Sequence, residues 1–299
     1  MTHSFAMPPE PQLRPLLDGY AREVAARRRT VVVGLVLMAI AVALSCIGAE
    51  VRPAVFWSQL GNFTSYFGRL TELDTGARVW TDPADWFWGL RRWSIQLGDT
   101  LLIAYVATTT GAALAVAGGV LASRNISRIP VIRFVAVRLL EMCRTVPDIV
   151  FALIFVVAFG LGPLAGVIAI TLHTTGTLGK LFAEVVENID MKQVEGVQST
   201  GGAWLSQVRF GVLPQVLSNF ASYSLLRLEI NVRGAAVIGF VGAGGIGQEL
   251  IVAIRKFYYS DVSAMLLMLL ACVMAIDFAS ERLRHRLLSG PGLKMAGAR

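Results

Sequence analysis

Charge is scarce in this sequence. Only 16% of its 299 residues are Asp, Glu, Lys or Arg, against about a quarter in a soluble globular domain. With 55% hydrophobic residues, that shortage excludes an ordinary water-soluble fold and points to a chain built for a bilayer. Cysteine is nearly absent as well. Cys46, Cys143 and Cys272 lie far apart, in or beside apolar runs and without CxxC spacing, so they read as small buried apolar residues and not as a disulfide framework. His3, His173 and His285 are equally scattered, and no zinc-site spacing occurs. A phosphate-cradling GxxxxGK[ST] loop is missing too. The nearest approach, Gly176-Thr177-Leu178-Gly179-Lys180, is too short and is followed by Leu181 instead of a hydroxyl residue. No metal or cofactor is expected, and any ATP would be bound by another chain. No internal repeat is visible.

The charge that is present has a pattern. The net charge of +7 suggests nucleic acid until the arginines are located. Arg27, Arg28 and Arg29, then Arg124 and Arg128, then Arg282, Arg284 and Arg286 sit at the ends of apolar runs, as cytoplasmic loops do under the positive-inside rule. No aromatic–basic interleaving suggests a nucleic-acid groove.

Apolar runs lay out the chain. Residues 1–29 form a proline-bearing, basic cytoplasmic tail that leads into a short helix, and 30–49 form a first, uncleaved span. Residues 50–95 are an external segment rich in tryptophan (Trp57, Trp80, Trp86, Trp88, Trp93), read as interfacial anchoring. Further spans follow at Leu101–Ala122, from near Ile132 to Phe159, Leu164–Phe182, from Pro214 to Val241, and Tyr258–Phe278, with a basic tail at 288–299. The expected fold is all-α and integral to the membrane, with about six transmembrane helices and both termini in the cytoplasm.

Two patterns invite a chemical reading and are set aside. Gly242-x-Gly244-x-x-Gly247 fits a dinucleotide fingerprint, but a hydrophobic span follows where a βαβ unit and a spaced acidic residue are required. Those glycines read better as tight backbone packing at the outer mouth of a bundle. Asp18-Gly19-Tyr20-Ala21-Arg22 is one residue short of the DGxxAR pattern of CDP-alcohol phosphotransferases and lacks its later aspartates. Charges within the spans must face protein or water. Arg138 with Glu141, Glu141 with Arg144, and Glu229 with Arg233 stand at helical pairing distances, as ion pairs or as a basic lining for an anion.

The polar stretch between spans carries the family signal. Glu195, Gly201, Leu213 and Pro214 fall in the register of the EAA loop of bacterial ABC importer permeases. Gly196 and Val197 replace its alanines, and Gly211 stands at its isoleucine position. Arg144-Thr145-Val146-Pro147-Asp148, Gly160-Leu161-Gly162-Pro163 and the run from Leu228 through Arg233 to Gly247 resemble phosphonate permeases. The resemblance spans roughly Ile95 to Leu287, and the expected type I transmembrane domain is 96–287. It implies a permease subunit, not an enzyme, in the bacterial inner membrane. The substrate class would be phosphonate or a related oxyanion, phosphite or phosphate.

The implied partners are a second copy of the chain, a dimer of P-loop ATPase subunits, an external solute-binding protein, the anionic solute and membrane lipid, with no nucleic acid. Coupling to the ATPase would fall to Glu195, Gly196, Gly201, Gly202, Leu213 and Pro214 in a cytoplasmic coupling helix. A translocation path would draw on Arg144, Arg227, Asn231, Arg233, Gly242, Gly244 and Gly245. The rival readings are an ion-coupled carrier using Glu141 and Glu229, and a membrane enzyme acting on lipid headgroups. Within the importers, a methionine or metal permease is the nearest neighbour.

Overall fold

A computed structural model describes residues 10–288, so the expected tails at 1–9 and 289–299 lie outside the described residues. The chain divides between Tyr66 and Phe67 into two compact units. The first is built on α1 (Glu10–Gly48), a single 39-residue helix, followed after a short turn by α2 (Pro53–Leu70). Residues 10–29, expected to lead through a tail into a short helix, are thus continuous with the first span. From Val31 to Leu44 the side chains of α1 are exposed and almost wholly apolar, a surface that suits hydrocarbon and not water.

The second unit is a helical bundle. It comprises α3 (Pro83–Trp86), α4 (Leu90–Ala122), α5 (Pro130–Thr145), α6 (Asp148–Phe159), α7 (Pro163–Glu187), α8 (Met191–Ser199), α9 (Trp204–Ser206), α10 (Leu213–Ile238), α11 (Ile246–Arg255) and α12 (Tyr259–Leu288). A π-helical turn, Gln207–Val212, joins α9 to α10, and a 3-10 turn, Gly239–Val241, closes α10. Among the described residues the β pairing is a single isolated bridge, Glu72 with Arg78.

Helix α7 is the post of the bundle, and α4, α5, α6 and α10 all pack on it. Hydrocarbon gives no hydrophobic drive for helices to associate, so close backbone packing must do it. A Cβ on Gly111 would come within 2.9 Å of the Thr174 side chain, and one on Gly119 within 2.8 Å of Phe182 Cβ. Gly176 is tighter still, with the backbone N of Arg144 at 2.5 Å and the carbonyl of Leu140 at 2.6 Å. Aromatic stacking of Phe182 on Phe220, centroids 3.9 Å apart, locks α7 to α10. At the centre the buried Asn231 amide donates to Thr108 Oγ1 at 2.8 Å and to Thr174 Oγ1 at 2.9 Å. One side chain thereby ties α10 to α4 and α7.

The count of spans differs from the expectation of six. Helices α1, α4 and α12 are each long and apolar enough to cross a bilayer, and two bent pairs bring the number to as many as five. The expected span at Leu164–Phe182 lies in α7, whose His173, threonines and Lys180 make it too polar for that test. Enclosed by its neighbours, α7 has little need of a lipid-compatible surface. The expected span from near Ile132 to Phe159 is two helices, α5 and α6, bent by 88°. Pro147 forces the preceding Val146 into extended backbone, φ −79° and ψ 125°. The carbonyl of Val146 meets His173 Nδ1 at 3.0 Å, so a histidine on α7 braces the break.

The tryptophan segment is partly structural. Trp93 is buried against α11 and α12. Trp86 Nε1 donates to Ser263 Oγ at 3.0 Å, and Trp88 Nε1 to Asp261 Oδ1 at 2.9 Å. Trp57, Trp80 and Trp88 keep exposed ring surface, as interfacial anchors would.

Gly176→Val should lower the thermal unfolding midpoint of the purified protein, corresponding to a loss of about 1–3 kcal/mol from overpacking. Gly98→Ala, inside α4 where a new Cβ meets nothing within 4 Å, should not lower the midpoint in the same assay and should raise it slightly.

Candidate functional site: the elbow and the polar centre

The most fully built polar feature is the elbow between α7 and α10. Asp190 caps α8, its Oδ1 accepting from the Lys192 amide at 3.0 Å. At the other end Gly201 takes φ +79°. Its N–H donates to the Gln198 carbonyl at 2.9 Å, and the Gly202 N–H reaches back to Val197 at 3.2 Å. This pair of bonds around a left-handed residue is a Schellman stop, and it supplies a physical reason for a glycine at that spacing. Gly202 is confined as well, since a Cβ there would lie 2.8 Å from the Val197 carbonyl.

Helix α8 then folds back onto the π-helical turn. Val194 is buried, and a Cβ on Gly211 would come within 2.9 Å of Val194 Cα. Glycine at that position therefore seats α8 directly on the turn. Pro214 has no N–H to offer the carbonyl four residues back. The helix widens just upstream, and the Leu213 N–H bonds to Val208, five residues back. Leu213 and Pro214 thus mark the change from π to α winding.

Side chains missed by the motif reading stitch the elbow down. Gln215 accepts from the Asp190 amide at 3.0 Å and donates to the carbonyls of Asp190 and Gly211 at 3.2 and 2.6 Å. Gln207 donates to the Gly202 carbonyl at 2.9 Å and accepts from Arg128 at 3.0 Å. Trp204 Nε1 donates to the Ile126 carbonyl at 3.0 Å. Only Gln215, directly after the Leu-Pro pair, could have been suspected from its place in the sequence. Outward, the elbow presents Glu195, Gly196 and Gln198, with Leu205 at 70% and Phe210 at 62% exposure.

The seven residues expected to line a path fall in three separate places. Arg144 is exposed in the last turn of α5 and faces Lys180 of α7 across a cavity. Arg227, Asn231 and Arg233 lie on α10. Arg227 is half-buried, with its Nε unpartnered, and feels the charge of Asp148. Asp148 Oδ2 also lies close to α10, 3.4 Å from where a Cβ on Gly234 would be. Arg233 pairs with Asp277 of α12 at 3.2 Å and not with Glu229, whose Oε1 is buried without a partner. Of the ion pairs expected along one helix, Arg138–Glu141 forms at 2.5 Å, while Glu141–Arg144 does not. Asn231 is committed to the inter-helix bonds already described.

Gly242, Gly244 and Gly245 form the turn at the opposite end of the bundle, at φ +89°, +85° and +75°. Gly162 donates to the Gly242 carbonyl at 2.9 Å, and Ile246 N–H to the buried Thr100 Oγ1 at 2.9 Å. A Cβ on Gly244 would meet Pro163 at 3.1 Å. The turn follows a helix and not a strand, so its packing role stands and the dinucleotide pattern has no βαβ context.

Residues 89–289 match the protein family described as "Binding-protein-dependent transport system inner membrane component". The chain is 40% identical over 202 residues to the phosphite transport system permease protein PtxC of Stutzerimonas stutzeri, covering 68% of this chain and 73% of that one. It is 38% identical over 190 residues to the phosphate-import permease protein PhnE of Mycolicibacterium smegmatis, covering 64% of this chain and 36% of the relative. Its fold is similar to a chain of the MetNI methionine ABC transporter in an inward-facing crystal form. That match has a TM-score of 0.56 at 20% identity and covers 65% of this chain and 95% of that one.

Gly201→Val should strain the left-handed position by about 1–2 kcal/mol. Hydrogen exchange would register this as faster exchange of the amides at positions 201 and 202, with the amides of α7 unchanged.

Proposed function

The chain belongs to the family of inner membrane components of binding-protein-dependent transport systems, and from that premise we propose that it is the permease subunit of an ATP-driven importer of phosphite, phosphonate or phosphate. The relatives named for phosphite and phosphate support the substrate class. The observation that carries the mechanism is the elbow. It is a short helix, capped at both ends, seated on a π-helical turn and bonded to the α4–α5 loop.

Such a body moves as one piece. A push on its exposed face, at Glu195, Gly196, Leu205 and Phe210, is passed through Gln215 and Val194 into α10 and through Arg128 and Trp204 toward α5. The proposed source of the push is a P-loop ATPase subunit, one for each of two copies of this chain. Leu213 and Pro214 set the entry into α10, and Gly201 and Gly202 hold the turn. The elbow end is then cytoplasmic. The ends of α4 and α7, with Arg124 and Arg128 nearby, lie on that side, and so does the basic end of α12 with Arg282, Arg284 and Arg286. By the same rule the run Arg27–Arg29 supports a cytoplasmic N-terminus.

The opposite end, with the glycine turn and the tryptophan-anchored start of α4, then faces the solute-binding protein. Between the two ends, Arg227 beside Asp148 and Arg233 beside Asp277 are the charges placed to meet an anion. Guanidinium forks suit oxyanions. An oxyanion entering would compete with Asp277 for Arg233, so binding in mid-path stays weak enough to release. Asn231 serves as a tie between helices in this reading, and the glycines as a hinge-like packed turn.

Cells expressing the chain with its genomically adjacent ATPase and binding-protein genes should take up radiolabelled phosphite or phosphate in an ATP-dependent way. Gly201→Leu should cut that uptake by about tenfold or more while the subunit still reaches the membrane. Uptake at the unsubstituted rate in that variant would refute the coupling role of the elbow. Arg227→Gln should lower uptake without releasing the ATPase from a mild-detergent pull-down, which separates path from coupling.

A further inference from the structure

We propose that the cavity between α4, α5 and α7 at the elbow end binds a phosphate group, carried either on a phospholipid headgroup or by free phosphate. The cavity has a volume of ≈ 270 Å³. Two helical stripes wall it: Arg133, Leu140 and Arg144 recur along one face of α5, and Lys180, Glu184 and Glu187 along one face of α7. Gly176 and Gly179 bring the backbone of α7 against α5 around Leu140 and Arg144, which closes the inner end of the space. Arg124, just past the end of α4, closes the outer end.

The charges in this cavity do not cancel locally. The Arg124 amide donates to Glu187 Oε1 at 2.8 Å, and its guanidinium Nε lies 3.9 Å from the same oxygen. Glu141, also in the lining, is taken by Arg138 at 2.5 Å, and Arg138 is not part of the lining. That leaves Arg133, Arg144 and Lys180, whose side chains have no hydrogen bond or ion pair among the described residues. The Nε of Arg133 is inaccessible and unpartnered. Glu184 is the remaining carboxylate in the lining. Three cations facing one carboxylate in a recess between membrane helices form an unbalanced arrangement. A metal cation would worsen it. An anion with several oxygens would complete it, because two guanidinium groups and an ammonium can each donate to a different oxygen of one tetrahedral group. Basic pockets between helices near the cytoplasmic boundary suit anionic headgroups for the same reason. The site rests on the geometry of this one chain and needs no part of the transport reading.

The test uses the purified full chain in nanodiscs and measures two probes: phosphatidylglycerol retained from mixed phosphatidylcholine discs, and inorganic phosphate at matched ionic strength. Saturable binding of at least one probe is expected. The double variant Arg133→Gln/Lys180→Gln should weaken it about tenfold or more, while Lys180→Arg, which keeps the charge, should retain most of it. Arg91→Gln, on the exposed start of α4, should have no effect. Retained lipid that phosphate does not displace identifies a headgroup as the source, and displacement identifies free phosphate. Equal binding of both probes by the parent and the double variant, with Lys180→Gln alone also silent, would overturn the proposal. Elution of each variant at the parent position in size-exclusion chromatography shows that the comparison is between folded proteins.

Discussion

Everything in the bundle depends on how closely other backbones can approach α7. In a bilayer, lipid tails compete for apolar surface on nearly equal terms with protein side chains, so contact must be won by fit. Gly111 and Gly119 on α4, and Gly176 and Gly179 on α7, remove the side chains that would hold the helices apart. With the backbones in contact, short polar groups can reach each other across the gap. The Asn231 bonds to Thr108 and Thr174 exist only because three helices converge within reach of one amide. The order of causes runs from small residues to close approach, and from close approach to a satisfied buried polar centre.

The same logic explains how α7 can carry polar side chains inside the bundle. A helix facing protein on most sides can carry His173, four threonines and Lys180 at low cost, because neighbours satisfy or enclose them. His173 then braces the carbonyl exposed at the Pro147 break, and Lys180 faces the arginines of α5. Polarity in α7 is a consequence of its central position. It also explains why α7 is less apolar than a lipid-facing span.

Much of this was legible in the sequence. The arginine clusters, the apolar runs and the spacing from Glu195 to Pro214 identified the fold and the elbow, because hydrophobic length and turn chemistry are local properties. Gly201 could be placed at a turn, although its bond to Gln198 and the bond of Gly202 to Val197 make sense only once α8 is known to stop there. Non-local choices were not legible. Arg233 had Glu229 available one turn earlier on the same helix and instead pairs with Asp277, 44 residues away. Trp93 read as an interfacial anchor because tryptophan commonly is one, yet it lies in a core made by α11 and α12. The right angle at Val146 was signalled by Pro147, but a proline allows either a kink or a break. Which one occurs is decided by whether a neighbour receives the freed carbonyl.

The elbow is fixed by few residues. Three of its determinants are glycines, each with a different task. Gly201 supplies a left-handed backbone, Gly202 admits the returning Val197 carbonyl, and Gly211 admits Val194. The two replaced alanines cost nothing visible, since a Cβ on Gly196 meets no atom within 4 Å and Val197 is only half-buried. A motif position is therefore constrained by the space and backbone angle it occupies, and its residue type follows from these. Where isoleucine fills the equivalent of position 211, α8 must sit further from the turn. With glycine there, the buried Val194 packs directly on the π-helical turn. The firmness of the elbow thus rests on packing across it, through Val194 against Gly211 and the Gln215 and Gln207 bonds.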